Sequence, residues 1–132
     1  MPDLLVVAAT CIHDREGRLL TVRKRGTSRF MLPGGKLEPA ETPAQAAVRE
    51  TAEEVGIDID PAALALLGHW RAPAANEPDT LIDSTVYTVD LADPAPQIAR
   101  EIDELRWLEP RRAGTYDDLA PMITLHVLPA LA

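Results

Sequence analysis

The sequence predicts one α/β domain over residues 1–132, a sandwich built on a mixed β-sheet. Segments with the composition of strands lie on both sides of one well-defined helix, and a second helical segment follows near the C-terminal end. The chain has 132 residues, of which 46% are hydrophobic. This is enough for one compact domain with a sizeable core, and a second domain is not expected.

The first predicted elements form a β-hairpin. Leu4–Ile12 is rich in Leu, Val and Ala and too short for a long helix, which indicates a buried strand. Asp14–Gly17 has the composition of a turn, and Arg18–Arg25 alternates as its partner strand. Pro33–Gly35 predicts that no regular element continues there.

The next element is an α-helix with recognisable caps at both ends. Thr42 is a suitable N-cap, Pro43 fits the first helical position, and Gln45 completes a capping box. Gly56 predicts the end of the helix. One broad side of the helix is expected to pack on the sheet, namely Ala44, Ala47, Val48, Thr51, Ala52 and Val55.

Three strands and a second helix are predicted after this segment. Ala65–Arg71, Thr80–Leu91 and Glu104–Leu108 have strand composition, and Ala72–Asp79 reads as a loop. Leu119–Leu131 has the mixed apolar spacing of a helix, with a length limited by its prolines.

Three glutamates, Glu50, Glu53 and Glu54, are expected on the side of the first helix opposite its apolar residues. At this spacing each like-charge pair costs about 0.2–0.5 kcal/mol, and the helix dipole disfavours anions in the last turn. An arrangement that opposes local preference twice favours a functional site over a plain solvated face. Carboxylate oxygens suit Mg²⁺ or Mn²⁺, whose charge would offset the repulsion.

Charge and composition exclude several classes of protein. The formal net charge of −8 predicts no binding of a nucleic-acid polymer by bulk electrostatics. No run approaches the roughly 18 apolar residues of a membrane span, and no basic leader precedes the first apolar run, so we expect a cytoplasmic protein without membrane association. The single cysteine, Cys11, lies in an apolar run and is predicted to be a buried hydrophobe.

Residues 35–57 resemble the signature of the Nudix hydrolases, which is Gly, five residues, Glu, seven residues, then Arg-Glu-aliphatic-any-Glu-Glu-any-Gly-aliphatic. The matching residues are Gly35, Glu41, Arg49, Glu50, Glu53, Glu54, Gly56 and Ile57. The departure is Thr51, which replaces an aliphatic residue and is expected to affect packing on the sheet more than chemistry. The segments VRKRGTSRFMLPGG and EIDELRWLEP also look like those of family members.

The resemblance implies a Nudix-type α/β/α sandwich, an α+β fold with a mixed sheet. It also implies a hydrolase that uses Mg²⁺ or Mn²⁺ to cleave a pyrophosphate linkage in a nucleoside diphosphate derivative. Glu50, Glu53 and Glu54 would then bind metal, with the carbonyl of Gly35 as a possible further ligand. Glu50 or Glu53 would take the proton of the attacking water, and both assignments fit the sequence.

Supporting residues inside and outside the motif are implied as well. Glu41 would pair with Arg49 to hold the loop before the helix. An additional acidic ligand is expected from Glu101 or Glu104. Other candidates are Arg23 and Arg25, from the basic end of a strand, for phosphate, and Phe30, Trp70 or Tyr87 for stacking on a base.

The expected substrate is a nucleoside triphosphate, cleaved to monophosphate and pyrophosphate. Short Nudix chains with a PGGK start of the motif are most similar to the 8-oxo-dGTP diphosphatase branch. Pro73, sixteen residues after Ile57, favours the alternative of an ADP-ribose or related pyrophosphatase. A non-catalytic nucleotide-sensing domain is the alternative of another class, although such domains often lose motif glutamates. A homodimer is compatible with the resemblance.

Overall fold

The computed structural model of the chain describes residues 2–132. Within them, six strands form one mixed sheet in the order β4-β5-β1-β2-β6, with β3 also paired to β1. β1 and β5 run parallel, and the other neighbouring strands are antiparallel. The strands are β1 Asp3–His13, β2 Leu19–Lys24, β3 Gly34–Lys36, β4 Ala65–Pro73, β5 Thr80–Asp90 and β6 Ile102–Leu108.

Helices cover both faces of the sheet. Helix α1, Pro43–Val55, packs small residues on β1, and the C-terminal segment packs on the opposite face through a π-helical turn, Ile123–Val127, followed by helix α2, Leu128–Leu131. Short 3₁₀ turns occur at Pro61–Ala63 and Pro110–Thr115. The predicted α/β sandwich on a mixed sheet is confirmed. No helix within residues 2–132 is long and apolar enough to cross a membrane.

Helix α1 begins and ends where its caps predict. The hydroxyl of Thr42 accepts a hydrogen bond from the backbone N–H of Gln45 at 3.1 Å, and the Gln45 side chain accepts one from the Thr42 N–H at 2.9 Å. Pro43 is the first helical residue, and Gly56 adopts the left-handed conformation with φ 68°. These interactions are local, which is why the sequence predicts them.

The structure differs from the predictions mainly at the glycines and the element ends. Gly34–Lys36 forms strand β3, so the prediction that regular structure ends at Pro33–Gly35 is wrong. A Cβ on Gly34 would lie 2.3 Å from the carbonyl oxygen of Ala8, and the absence of a side chain is therefore what permits this pairing. Strand β4 continues to Pro73 into the predicted loop, and the C-terminal helical segment begins at Pro121 rather than Leu119.

The predicted burial of the single cysteine is confirmed. Cys11 lies in the core cluster on the side of the C-terminal helix, together with Leu19 and Val86. Burial raises the pKa of its thiol to about 12. The side chain therefore packs as a hydrophobe.

Candidate functional site

Glu54 is buried against the sheet. It is only 2% exposed, and its Oε1 accepts a hydrogen bond from the backbone N–H of Gly34 at 3.1 Å. The prediction that Glu54 lies on the side opposite the apolar residues, with Glu50 and Glu53, is wrong. At about 100° per residue, Glu54 lies about 60° around the helix from the buried Thr51, within the face that packs on the sheet.

The other oxygen of Glu54, Oε2, is buried and has no hydrogen-bond partner among the described residues. Burial is the main cause that raises the pKa of the Glu54 carboxyl to about 7. The carboxylates of Glu50 and Glu101 act in the same direction, whereas the N–H of Gly34 and the ammonium of Lys24 oppose them. An unsatisfied buried acceptor costs about 1–3 kcal/mol, so a proton or a cation at this oxygen would be stabilising.

Arg49 connects the loop before helix α1 to the clustered carboxylates. Its Nε and Nη2 donate to the two carboxylate oxygens of Glu41 at 2.7 and 2.9 Å, and Nη2 also donates to the carbonyl of Lys36 at 3.0 Å. Its Nη1 donates to Glu50 Oε1 at 2.7 Å and to Glu53 Oε2 at 3.2 Å. The hydrogen bonds from Arg49 are the main cause that lowers the pKa of Glu41 to about 2. The guanidinium thus reduces the repulsion within the acidic cluster.

The free carbonyls and the acidic side chain at the C-terminal end of helix α1 are paired by a segment that is distant in the sequence. The backbone N–H groups of Gln97 and Ala99 donate to carbonyls of the last turn at 2.8 and 3.0 Å. Arg100 lies beside Glu53, with Nη2 to Oε1 at 3.2 Å. The donors and the positive charge that the helix lacks locally therefore come from the chain just before β6.

A cleft of about 440 Å³ opens beside strand β3, a size within the range of small-molecule sites. Its charged lining consists of Lys24, Lys36, Glu50, Glu77 and Glu101, and Lys24 Nζ lies 3.3 Å from Glu101 Oε1. A Cβ on Gly35 would lie 2.5 Å from Glu50 Oε2. Glycine at this position therefore allows the backbone to approach the carboxylate closely.

The candidates outside the motif fall on different parts of the surface. Glu101 lines the cleft, whereas Glu104 pairs with Arg23 at 3.1 Å and does not line it. Arg23 and Arg25 do not line the cleft either, and Lys24 between them does. Lys24 was not among the residues predicted for the site, although strand alternation indicates that it faces the opposite side from its two neighbours.

None of the aromatic candidates lines the cleft. Phe30 is 2% exposed in the core, and the guanidinium of Arg106 lies 3.8 Å from its ring centroid. Trp70 stacks on His126 with ring centroids 5.5 Å apart, and Tyr87 packs near helix α1 on the other face of the sheet. The structure therefore places Phe30 in a packing role, which corrects its expected position at the base.

Comparison with known families identifies this arrangement. The family model described as NUDIX domain matches residues 3–127, almost the whole chain. This chain belongs to the NUDIX domain family. The resemblance stated from residues 35–57 is therefore confirmed.

Individual proteins also match this chain in sequence or in fold. Phosphatase NudJ of Escherichia coli strain K12 is 36% identical over 69 residues, which cover 51% of this chain and 45% of NudJ. The chain thus spans less than half the length of the curated relatives it matches. The Escherichia coli ORF135 protein, solved in solution, has a TM-score of 0.73 and 27% identity, covering 98% of this chain and 89% of that protein.

A third solved structure shares the fold. A Francisella tularensis protein described as a bifunctional NMN adenylyltransferase/ADP ribose pyrophosphatase, solved with AMP and a manganese ion, has a TM-score of 0.72 and 20% identity. The match covers 98% of this chain and 43% of that protein. The comparisons confirm the predicted Nudix fold, and the family match and the phosphatase relatives support the predicted hydrolase class.

The carboxylate oxygens of this Nudix domain suit a divalent cation, although they are not yet arranged around a common point. Within residues 2–132, no three His, Cys, Asp or Glu side chains are grouped closely enough to hold an ion, and Arg49 engages both Glu50 and Glu53. The buried Oε2 of Glu54, which has no hydrogen-bond partner in the described part of the chain, nevertheless offers an oxygen ligand. Glu50 and Glu101 line the cleft and both act to raise the pKa of Glu54, so these three side chains are the candidates to hold Mg²⁺ or Mn²⁺.

The departure from the Nudix pattern, Thr51, is buried and faces the sheet, as predicted. Its hydroxyl lies 2.9 Å from the hydroxyl of Thr10 on β1. The two hydroxyls satisfy one another in an otherwise apolar layer, which is why a polar residue is tolerated at this aliphatic position.

Proposed function

We propose that this Nudix domain is a metal-dependent hydrolase that cleaves a phosphoanhydride bond in a nucleoside diphosphate derivative. The observation that carries the proposal is the buried Glu54, whose Oε2 has no hydrogen-bond partner within residues 2–132 and whose Oε1 is bonded to the N–H of Gly34 in the cleft lining. A buried carboxylate with one unpaired oxygen is destabilising unless it is protonated or a cation binds there, and a bound cation is the state that hydrolysis would use. The complete set of motif glutamates favours catalysis over the alternative of a nucleotide sensor.

The metal ligands in the proposal are Glu50, Glu53, Glu54 and the carbonyl of Gly35, with Glu101 added from the segment before β6. When bound, Mg²⁺ or Mn²⁺ supplies neutralisation of phosphate charge and in-line positioning. Lys24 and Lys36 line the same cleft and would bind phosphate oxygens as point charges.

Glu50 is favoured over Glu53 as the general base in this proposal. Glu50 lines the cleft, so it has access to a water beside the substrate. Glu53 does not line the cleft, and its two oxygens are engaged by Arg49 and Arg100. A general base must lie within hydrogen-bond reach of the water that it activates. Glu53 then holds the two arginines and would reach the metal only after they move.

The leading substrate class is a nucleoside triphosphate such as 8-oxo-dGTP, cleaved to the monophosphate and pyrophosphate. ADP-ribose is the alternative, favoured by the relative described as an ADP ribose pyrophosphatase. Both substrates are small nucleotides, which the cleft of about 440 Å³ suits in size. The proposal includes neither a nucleic-acid polymer nor a membrane as partner, and it retains a cytoplasmic location and a possible homodimer.

The test is product release from 8-oxo-dGTP, the ordinary dNTPs, ADP-ribose, diadenosine polyphosphates and nucleotide sugars, each with Mg²⁺, Mn²⁺ or EDTA. We expect metal-dependent turnover of one class, with a loss of at least about 100-fold in kcat for Glu50→Gln and Glu54→Gln. Glu109→Gln, at a carboxylate that does not line the cleft, should retain wild-type turnover. Turnover that persists in EDTA, or that Glu54→Gln leaves unchanged, would refute the proposal.

A further inference from the structure

The lining of the cleft divides into a charged part and an aliphatic part. The charged part lies beside β3, where Glu50 approaches Gly35 and Lys24 pairs with Glu101. The aliphatic part consists of four half-buried side chains, which are Leu5, Val7, Met31 and Ile82. Behind them the lining is completed by the buried side chains of Leu32, Met122 and Ile123. The aliphatic part therefore has apolar surface both at the cleft and behind it.

The sheet register brings the members of the aliphatic part together. Leu5 on β1 pairs with Ile82 on β5. Leu5 and Val7 point to one face of the sheet, whereas Leu4 and Val6 point to the other, because side chains alternate along a strand. Met122 and Ile123 come from the C-terminal segment, which covers the face with Leu5 and Val7. The aliphatic part is thus a slot between the sheet and the C-terminal segment.

The aliphatic part offers a ligand almost no polar side chain. Ser84 is the only uncharged polar residue among the lining residues within residues 2–132, and it is 1% exposed. Glu77 lies in the exposed loop between β4 and β5, at the rim of the cleft. A polar group that entered the slot would lose its hydrogen bonds to water without side-chain partners to replace them. A hydrocarbon chain would instead be stabilised by leaving water.

The charged part and the aliphatic part lie within the length of one small molecule. Gly35 pairs with Ala8 on β1. Leu5 is three residues along the same strand, which corresponds to about 10 Å at about 3.3 Å per residue. A molecule whose phosphates lie beside Gly35 can therefore extend a short chain past Val7 to Leu5 and Ile82.

We propose that the cleft also binds diphosphates of aliphatic alcohols, with the diphosphate in the charged part and the alkyl chain in the aliphatic part. The proposed function then adds a further activity to this binding, and the inference rests on it for the chemical step. Water adds to the terminal phosphorus and passes its proton to Glu50. The bond between that phosphorus and the bridging oxygen breaks. The products are the alkyl monophosphate and inorganic phosphate.

A series of ligands that differ only in chain length tests the binding. Methyl, butyl and hexyl diphosphate analogues, with a methylene group in place of the bridging oxygen, cannot be cleaved at that position. Their affinities would be measured by calorimetry with Mg²⁺. We expect affinity to rise about twofold to fourfold for each added methylene, and at least about 30-fold from methyl to hexyl. Turnover of hexyl diphosphate and of 8-oxo-dGTP would be measured in parallel.

Two matched variants on β1 locate the chain. Val7→Thr places a hydroxyl of similar size in the aliphatic part and should lower the hexyl-to-methyl affinity ratio at least about threefold. Val6→Thr makes the same change on the opposite face of the strand, at a side chain that is 52% exposed. It should leave the ratio within about twofold of wild type. The series on wild type requires no substitution, so it tests the inference even if a variant folds poorly.

The outcomes separate this inference from the proposed function. A gain below about threefold from methyl to hexyl in wild type, or a gain that Val7→Thr leaves unchanged, would overturn the inference. Cleavage of 8-oxo-dGTP without cleavage of hexyl diphosphate would overturn it as well and leave the proposed function intact. A gain along the series without turnover of any substrate would contradict the proposed function alone, because binding requires no hydrolysis.

Discussion

Replacing Glu54 with Gln tests whether the buried, ionised carboxylate lowers the unfolding free energy of the chain when no cation is bound. Glu54→Gln keeps an oxygen that can accept the Gly34 N–H and removes the ionisation. The pKa of Glu54 rises from its ordinary 4.5 to about 7 in the folded chain. At about 1.4 kcal/mol per pKa unit, this corresponds to about 3 kcal/mol.

The sign of the pH dependence follows from proton binding. Between pH 4.5 and about 7, the folded chain holds a proton on Glu54 that the unfolded chain has released. The contribution of this group to stability is therefore intact below the unfolded pKa and falls as pH rises through the folded pKa. The unfolding free energy of wild type should decrease by about 3 kcal/mol more than that of Glu54→Gln across this window.

Urea unfolding of both proteins in EDTA, from pH 4.5 to pH 8, measures this difference. We also expect a pH-independent difference in unfolding free energy between the two proteins, because the N–H₂ of the introduced amide lacks a buried acceptor. The pH-dependent part isolates the titration, since the other groups are common to both chains. If the difference between wild type and Glu54→Gln varied by less than about 0.5 kcal/mol over the range, the reasoning would be refuted.

Three further predictions concern the supports of the site. Thr51→Val should lower the unfolding free energy by about 1–3 kcal/mol because it leaves the Thr10 hydroxyl unpaired, whereas the double Thr10→Val, Thr51→Val variant should recover most of it in a double-mutant cycle; additive losses would contradict the pairing. Arg49→Lys should cost about 2 kcal/mol in urea unfolding, because an ammonium cannot bridge Glu41 and the cluster together; a loss below about 0.5 kcal/mol would contradict this role. Cys11 should react with a thiol reagent at pH 8 only as the chain unfolds, since burial raises its pKa to about 12; fast labelling of the folded protein would contradict its burial.

Much of the fold follows from local sequence. The caps at Thr42 and Gly56 act through bonds within a few residues, and their positions in the structure match the prediction. The strands were predicted from composition with errors of a few residues at their ends. Strand β3 was missed because glycine composition predicts a break, and only its pairing with β1 makes the segment extended.

The sequence predicted the candidate site residues within the motif, but it did not predict correctly which residues outside the motif line the cleft. The spacing of the motif indicated Glu50, Glu53 and Glu54 as a group, but the burial of Glu54 depends on how helix α1 lies on the sheet. Lys24 was missed and Phe30 was placed wrongly, because side-chain orientation depends on strand pairing and on packing against Arg106.

By itself, the sequence determined the family, the capped helix and the acidic cluster, because these rest on local spacing and composition. Only the tertiary structure decided which carboxylate is buried and which basic residue faces the cleft. Each of these depends on contacts between segments far apart in the chain, such as Gly34 with Glu54 and Lys24 with Glu101. Desolvation and charge pairing arise only when those segments meet.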